Sequence, residues 1–115
     1  MFSAQVIEHL VPTDMERLIA GTHRVLADDG LVIIETVNPH SLRALRFFWL
    51  DRTHTIPVYP ESALLMARSA GFAAAAIYFP GGTGQLAADL RDCGDFTLIC
   101  AKRRSRLVEV GLLEA

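Results

Sequence analysis

The chain has 115 residues, 51% apolar and 21% charged, a composition that makes one globular domain with a core and excludes a disordered tail. With 11 Lys and Arg against 13 Asp and Glu, its formal charge is −2, so no basic field is present to hold a nucleic-acid backbone. Its two cysteines, Cys93 and Cys100, have no second pair and no histidine at ligand spacing. This argues against a disulfide scaffold and against a zinc site, so no metal is expected, and a reducing cytoplasm fits best. No apolar run reaches ~18 residues, and the first residues lack the basic start and long apolar core of a signal peptide. Membrane partners and export are therefore not expected.

Phe2 to Ile7 is a short, largely apolar run ended by Glu8-His9 and reads as a strand. From Asp14 the apolar positions Met15, Leu18, Ile19, Val25 and Leu26 recur at helical spacing to about Ala27, with Thr13 as N-cap and Glu16 completing a capping box. Asp28-Asp29-Gly30 is turn chemistry, with Gly30 suited to positive φ, and Leu31 to Ile34 is a continuous β-rich run that suits a strand covered on both faces. Strand, helix, turn and buried strand make a right-handed βαβ crossover with parallel strands. The fold class is α/β.

Ser41 is placed to cap a helix through Leu50, with Leu42, Leu45, Phe48 and Trp49 on one face and Arg43 and Arg46 opposite. Asp51 to Tyr59 reads as loop, and Pro60-Glu61 opens a helix through Ala70, closed by Gly71. Phe72 to Phe79 and Phe96 to Ala101 read as strands that pair antiparallel, with one helical turn at Leu86 to Leu90 between them. Residues 1–102 form the domain. Residues 103–115 are a tail, with Leu107, Val110, Leu112 and Leu113 available for docking.

Four pieces in register carry a family resemblance: Phe2-Ser3-Ala4-Gln5-Val6-Ile7-Glu8-His9-Leu10, Arg24 to Gly30, Leu31 to Pro39, and Ala70-Gly71-Phe72. Together they resemble the carboxy-terminal half of a class I S-adenosylmethionine (SAM)-dependent methyltransferase of the ubiquinone/menaquinone-biosynthesis-like type. The resemblance implies a partial Rossmann-like sheet, strands 4-5-7-6 of the family's order, with the last strand antiparallel. It also implies that the first three strands, the glycine-rich loop after strand one and the acidic residue ending strand two are absent. SAM is the cofactor implied, and a small molecule the methyl acceptor.

Glu8 and His9 follow a strand's carboxyl end, where open α/β sheets place ligands. The resemblance has this segment lining the cofactor pocket; the alternative is a polar pair leading into a helix. Asp51, Thr53, His54 and Tyr59 resemble a substrate-side loop over the active-site mouth. His54 is the candidate base, since an imidazole with a pKa of ~6.5 accepts a proton at neutral pH. The other reading has Asp51 and Thr53 organising a turn while His54 donates to a backbone carbonyl. Gly81-Gly82-Thr83-Gly84-Gln85 lacks the strand-loop-helix context of a phosphate cradle and reads as a flexible turn. Asn38 reads as structural, and Phe47, Phe48 and Trp49 read either as a cap on an apolar substrate or, as aromatics at helical spacing more often are, as core; His23 and His40 read as surface, and neither cysteine as a nucleophile.

Two functions of different class follow: methyl transfer to a small-molecule acceptor, and a non-catalytic interaction module built on the same half-fold. The first strand's bare outer edge is a template for pairing with another chain. A homodimer through that strand or its neighbouring helix face is expected, with Leu107 to Leu113 as a second contact.

Overall fold

A single residue in the left-handed region ends the first strand sooner than its apolar pattern implies. In the computed structural model, which describes residues 1–114, strand β1 covers only Phe2–Ala4. Gln5, at φ 56, turns the chain out of the sheet while its amide still donates to the Glu35 carbonyl at 2.9 Å. Ile7–His9 then forms one 3-10 turn that buries Ile7 and Glu8. The apolar character expected to extend the strand to Ile7 is thus buried from a turn.

Helix α1 spans Pro12–Val25 with Val11 as its N-cap. The capping box expected at Thr13 and Glu16 does not form, because Pro12 already occupies the first helical position. Its φ is set for a helix, and it has no N–H that needs a cap. Met15, Ile19 and Thr22 are the buried positions of the helix, and it stops short of Ala27. Gly30 does not adopt the positive φ expected of it. A Cβ there would stand 2.7 Å from the Leu26 side chain, so close approach is what demands glycine.

Strand β2, Leu31–Val37, buries Val32, Ile34 and Thr36 on one face and half-buries the alternate residues on the other. Helices α2 (Leu42–Leu50) and α3 (Pro60–Ser69) follow, then β3 (Ala74–Tyr78), α4 (Leu86–Asp92), β4 (Asp95–Ala101) and α5 (Arg104–Glu109). Ser41 caps α2 as expected, its Oγ accepting from the Ala44 amide at 3.2 Å. Gly71, at φ 102, closes α3. Helix α4 is longer than the single turn expected.

The sheet order is β1-β2-β4-β3, with β1 and β2 parallel and β4 antiparallel to both neighbours. This is the α/β sheet implied by strands 4-5-7-6. The main core lies on the face carrying Val32, Ile34, Leu98 and Cys100, where α1 and α3 bring Met15, Ile19, Ala63 and Ala67. On the opposite face Leu107 of α5 is fully buried against Ala74, Ile99 and Ala101. The tail therefore docks within its own chain, and Leu107 is withdrawn from the second dimer contact expected of it. No helix among the described residues is long and apolar enough to cross a membrane.

Helix α2 departs from its expected face. Phe48 is buried, but Leu42, Phe47 and Trp49 are exposed, so of the three aromatics read as core only Phe48 belongs there. Phe48 turns inward because it meets His54, stacked at 4.4 Å between ring centroids.

Candidate functional site

The carboxyl ends of the parallel strands β1 and β2 lie side by side, beside the start of β4, and the polar residues of the loops converge there. Thr36, last of the inward row of β2, donates its hydroxyl to Glu8 Oε2 at 2.8 Å. Glu8 is 1% exposed, and its other oxygen, Oε1, is buried with no hydrogen-bond partner. Two residues beyond Thr36, Asn38 is fully buried. Its Nδ2 donates to the carbonyls of Leu90 and Cys93 at 2.9 and 2.8 Å, and its Oδ1 accepts from the His40 amide at 3.2 Å. The structural reading of Asn38 stands: it ties the loop leaving β2 to the end of α4.

The segment 51–59 is drawn onto the 3-10 turn by Thr55, whose amide donates to the Glu8 carbonyl at 2.8 Å and whose hydroxyl reaches the Leu10 carbonyl. Within the loop, Asp51 Oδ1 accepts from the Thr53 amide at 2.9 Å and the Thr53 hydroxyl at 2.6 Å. These bonds, the side-chain one foremost, hold the Asp51 carboxyl below its usual range. His54 Nδ1 lies 2.8 Å from the Phe48 carbonyl, to which it can only donate. Its Nε2 lies 3.4 Å from Asp51 Oδ2. The Asp-Thr turn and the bond to a backbone carbonyl are thus both present, and they hold His54 with Nε2 beside the Asp51 carboxylate.

His9, exposed, sits edge-on to His54 at 4.6 Å between centroids, and its Nδ1 bonds to Thr53 Oγ1 at 2.8 Å. The structure thus brings together Glu8, His9, Asp51, Thr53 and His54. Tyr59 lies elsewhere, its ring packed on His40 at 4.9 Å, and His40 Nε2 pairs with Glu61 at 2.8 Å. His40, read as unpartnered surface, has a partner after all, and His23 packs edge-on against Phe72 at 4.8 Å. Thr36 and Thr55 are the site residues that the sequence reading missed. Only Thr36 carries a signal there, as a polar residue in the inward row of a buried strand.

A cleft of about 440 Å³ opens beside His54, lined also by Val37, Ser41, Phe47, Phe48 and Asp95. The glycine segment 81–85 is organised by one carboxylate. Asp89 takes the Thr83 amide at 2.8 Å, the Thr83 hydroxyl at 2.9 Å and the Gly84 amide at 3.1 Å. Those bonds, the Thr83 amide first, lower the Asp89 pKa. Burial pushes the Cys100 thiol up to about 12 and also raises Cys93, so neither is a thiolate nucleophile.

No family model matches the chain, and no curated protein matches it. A solved structure described as a SAM dependent methyltransferase from Archaeoglobus fulgidus superposes with a TM-score of 0.73 at 22% identity, over 86% of this chain. The chain shares part of the Rossmann-like fold of that methyltransferase. It spans 57% of the length of that methyltransferase.

The fit of SAM to this fold is tested by the donors and acceptors left free. Asp89 engages the Thr83 and Gly84 amides, so these two donors are not left for a nucleoside. Glu8, 1% exposed, and the exposed His9 stand at the carboxyl end of β1 and do not line the cleft beside His54.

Proposed function

We propose that the chain forms the acceptor-side wall of a SAM-dependent methyltransferase that acts on a small molecule. The observation that carries this is the position of His54. In a methyltransferase fold it stands at the carboxyl end of the parallel strands, beside an open cleft, with Nδ1 bound to a carbonyl and Nε2 beside the Asp51 carboxylate. When bound, SAM supplies an already activated methyl group, so the protein's work is in-line positioning and proton removal.

Nε2 of His54 accepts the acceptor's proton, and the Asp51 carboxylate at 3.4 Å stabilises the imidazolium that results. Phe47, exposed at the cleft, offers an apolar contact to the acceptor. Glu8 and His9 form the cofactor-side wall, and Thr53 sets the ring of His9. Tyr59 acts on the acceptor side only through the entrance to α3.

Calorimetry with SAM tests this reading in two arms. The chain expressed with the sequence that flanks it in its gene should bind SAM in the micromolar range, and residues 1–115 alone should not. Absence of binding in the first arm overturns the methyltransferase reading. Micromolar binding in the second overturns the single-wall reading.

We also infer a homodimer through β1. Among the described residues this strand pairs on one side only, and Phe2 is 65% exposed on it. An open apolar edge with unpaired backbone groups is a template for another strand.

A further inference from the structure

Glu8, His9 and His54 each keep one acceptor atom to which no hydrogen is donated; that of His54, Nε2, lies 3.4 Å from the Asp51 carboxylate. Glu8 Oε2 takes the Thr36 hydroxyl, while Oε1 is buried and orphaned. The Thr53 hydroxyl donates to Asp51 Oδ1, so this hydroxyl and the Thr53 carbonyl can only accept from His9 Nδ1, at 2.8 and 3.3 Å. Neutral His9 therefore carries its proton on Nδ1 and its lone pair on Nε2. The Phe48 carbonyl imposes the same tautomer on His54.

Imidazoles that ligate metals are held this way, with the second ring nitrogen donating to a carbonyl or carboxylate that fixes the ring. A ligand atom from each of Glu8, His9 and His54 lies within 4.8 Å of the other two. Glu8 is buried, His54 half-buried and His9 exposed. The cluster thus has a closed floor and an open mouth, the form of a three-ligand site with a free coordination position. A buried carboxylate oxygen without a partner is costly to leave so, and a cation would offset that cost.

We propose that Glu8, His9 and His54 bind one divalent transition-metal cation. Two imidazoles and one carboxylate suit Zn²⁺ or Co²⁺ better than Mg²⁺ or Ca²⁺, which prefer all-oxygen shells. The site concerns the residues given above to the cofactor wall and to the base, but its occupancy is read without SAM, so either claim can fail alone. With the ion bound, the Nε2 lone pair of His54 is a ligand and takes no proton. Methyl transfer that runs through a free His54 is insensitive to chelators, and methyl transfer that needs the ion is abolished by them.

The test is a titration of the chelator-stripped 115-residue chain with Co²⁺, followed by visible absorption, and with Zn²⁺ in competition with a chromophoric chelator. One ion per chain is expected. Glu8→Gln and His54→Ala should each weaken binding at least about tenfold, and Thr53→Ala, which frees the His9 ring, about tenfold. His9→Ala removes an exposed side chain, so it reports on the site even if Glu8→Gln fails to fold by circular dichroism. His40→Ala, at the other His-Glu pair, should change nothing. Absence of uptake, uptake equally strong in His9→Ala and in either Glu8→Gln or His54→Ala, or uptake lost in His40→Ala would each overturn the proposal.

Discussion

Asn38→Ala isolates the bond network that fixes the site end of the sheet. Asn38 is 0% exposed, and its amide bridges the β2 exit to the carbonyls of Leu90 and Cys93 at the end of α4. Truncation removes both donated bonds and the bond accepted from the His40 amide. At about 1 kcal/mol for each bond, with a further charge for carbonyls left buried and unpaired, the loss is about 2–4 kcal/mol. For a domain of this size that lowers Tm by roughly 8–16 °C. Asn38→Asp keeps the shape but turns a donor into an acceptor facing two carbonyls, so it should be worse than Ala. Urea denaturation followed by far-ultraviolet circular dichroism measures both variants. A loss below about 0.5 kcal/mol for Asn38→Ala, or an Asp variant more stable than the Ala variant, would refute the reasoning.

Three further predictions concern the rest of the chain. The Asp89 pKa is lowered on folding, so its contribution is fully present above the unfolded value of about 3.9 and is lost as pH falls through the folded one. Thermal midpoints of Asp89→Asn should accordingly fall less steeply than wild type below about pH 4, and parallel curves would contradict this. Leu107→Ala should cost about 2–5 kcal/mol in urea, as a fully buried leucine does, whereas a cost under about 1 kcal/mol would mean that α5 does not belong to the core. Light scattering across a concentration series should show a dimer, and the mass of one chain at every concentration would remove β1 as an interface.

Most elements are legible from periodicity because their buried positions are local: Val32, Ile34 and Thr36 alternate, and Met15, Ile19 and Thr22 recur at helical spacing. The boundaries missed are those where one backbone constraint outranks a side-chain pattern, Gln5 at positive φ and Pro12 at the head of α1. The sheet order rests on long-range pairing and came from the family resemblance. Of the site, His54, Glu8 and His9 are visible as chemistry in loops after strands. Their meeting is invisible in the sequence, since it depends on Thr55 pulling the 51–59 loop onto the 3-10 turn. For the same reason, a metal search by spacing finds nothing in the sequence. The glycine run 81–85 illustrates the opposite failure: its composition suggests ligand binding or flexibility, yet Asp89 takes the Thr83 and Gly84 amides.

The central claim, that this end of the sheet is the acceptor side of a methyl-transfer site, rests most directly on one kinetic comparison. S-adenosylhomocysteine release is measured for wild type and His54→Ala, each expressed with its flanking sequence, across a panel of small hydroxylated acceptors. The account predicts turnover of at least one acceptor by wild type, a fall in kcat of about 100-fold or more in the variant, and a KM for SAM within about threefold of wild type. Turnover that survives His54→Ala unchanged, or wild-type protein that releases no S-adenosylhomocysteine with any acceptor, would contradict it.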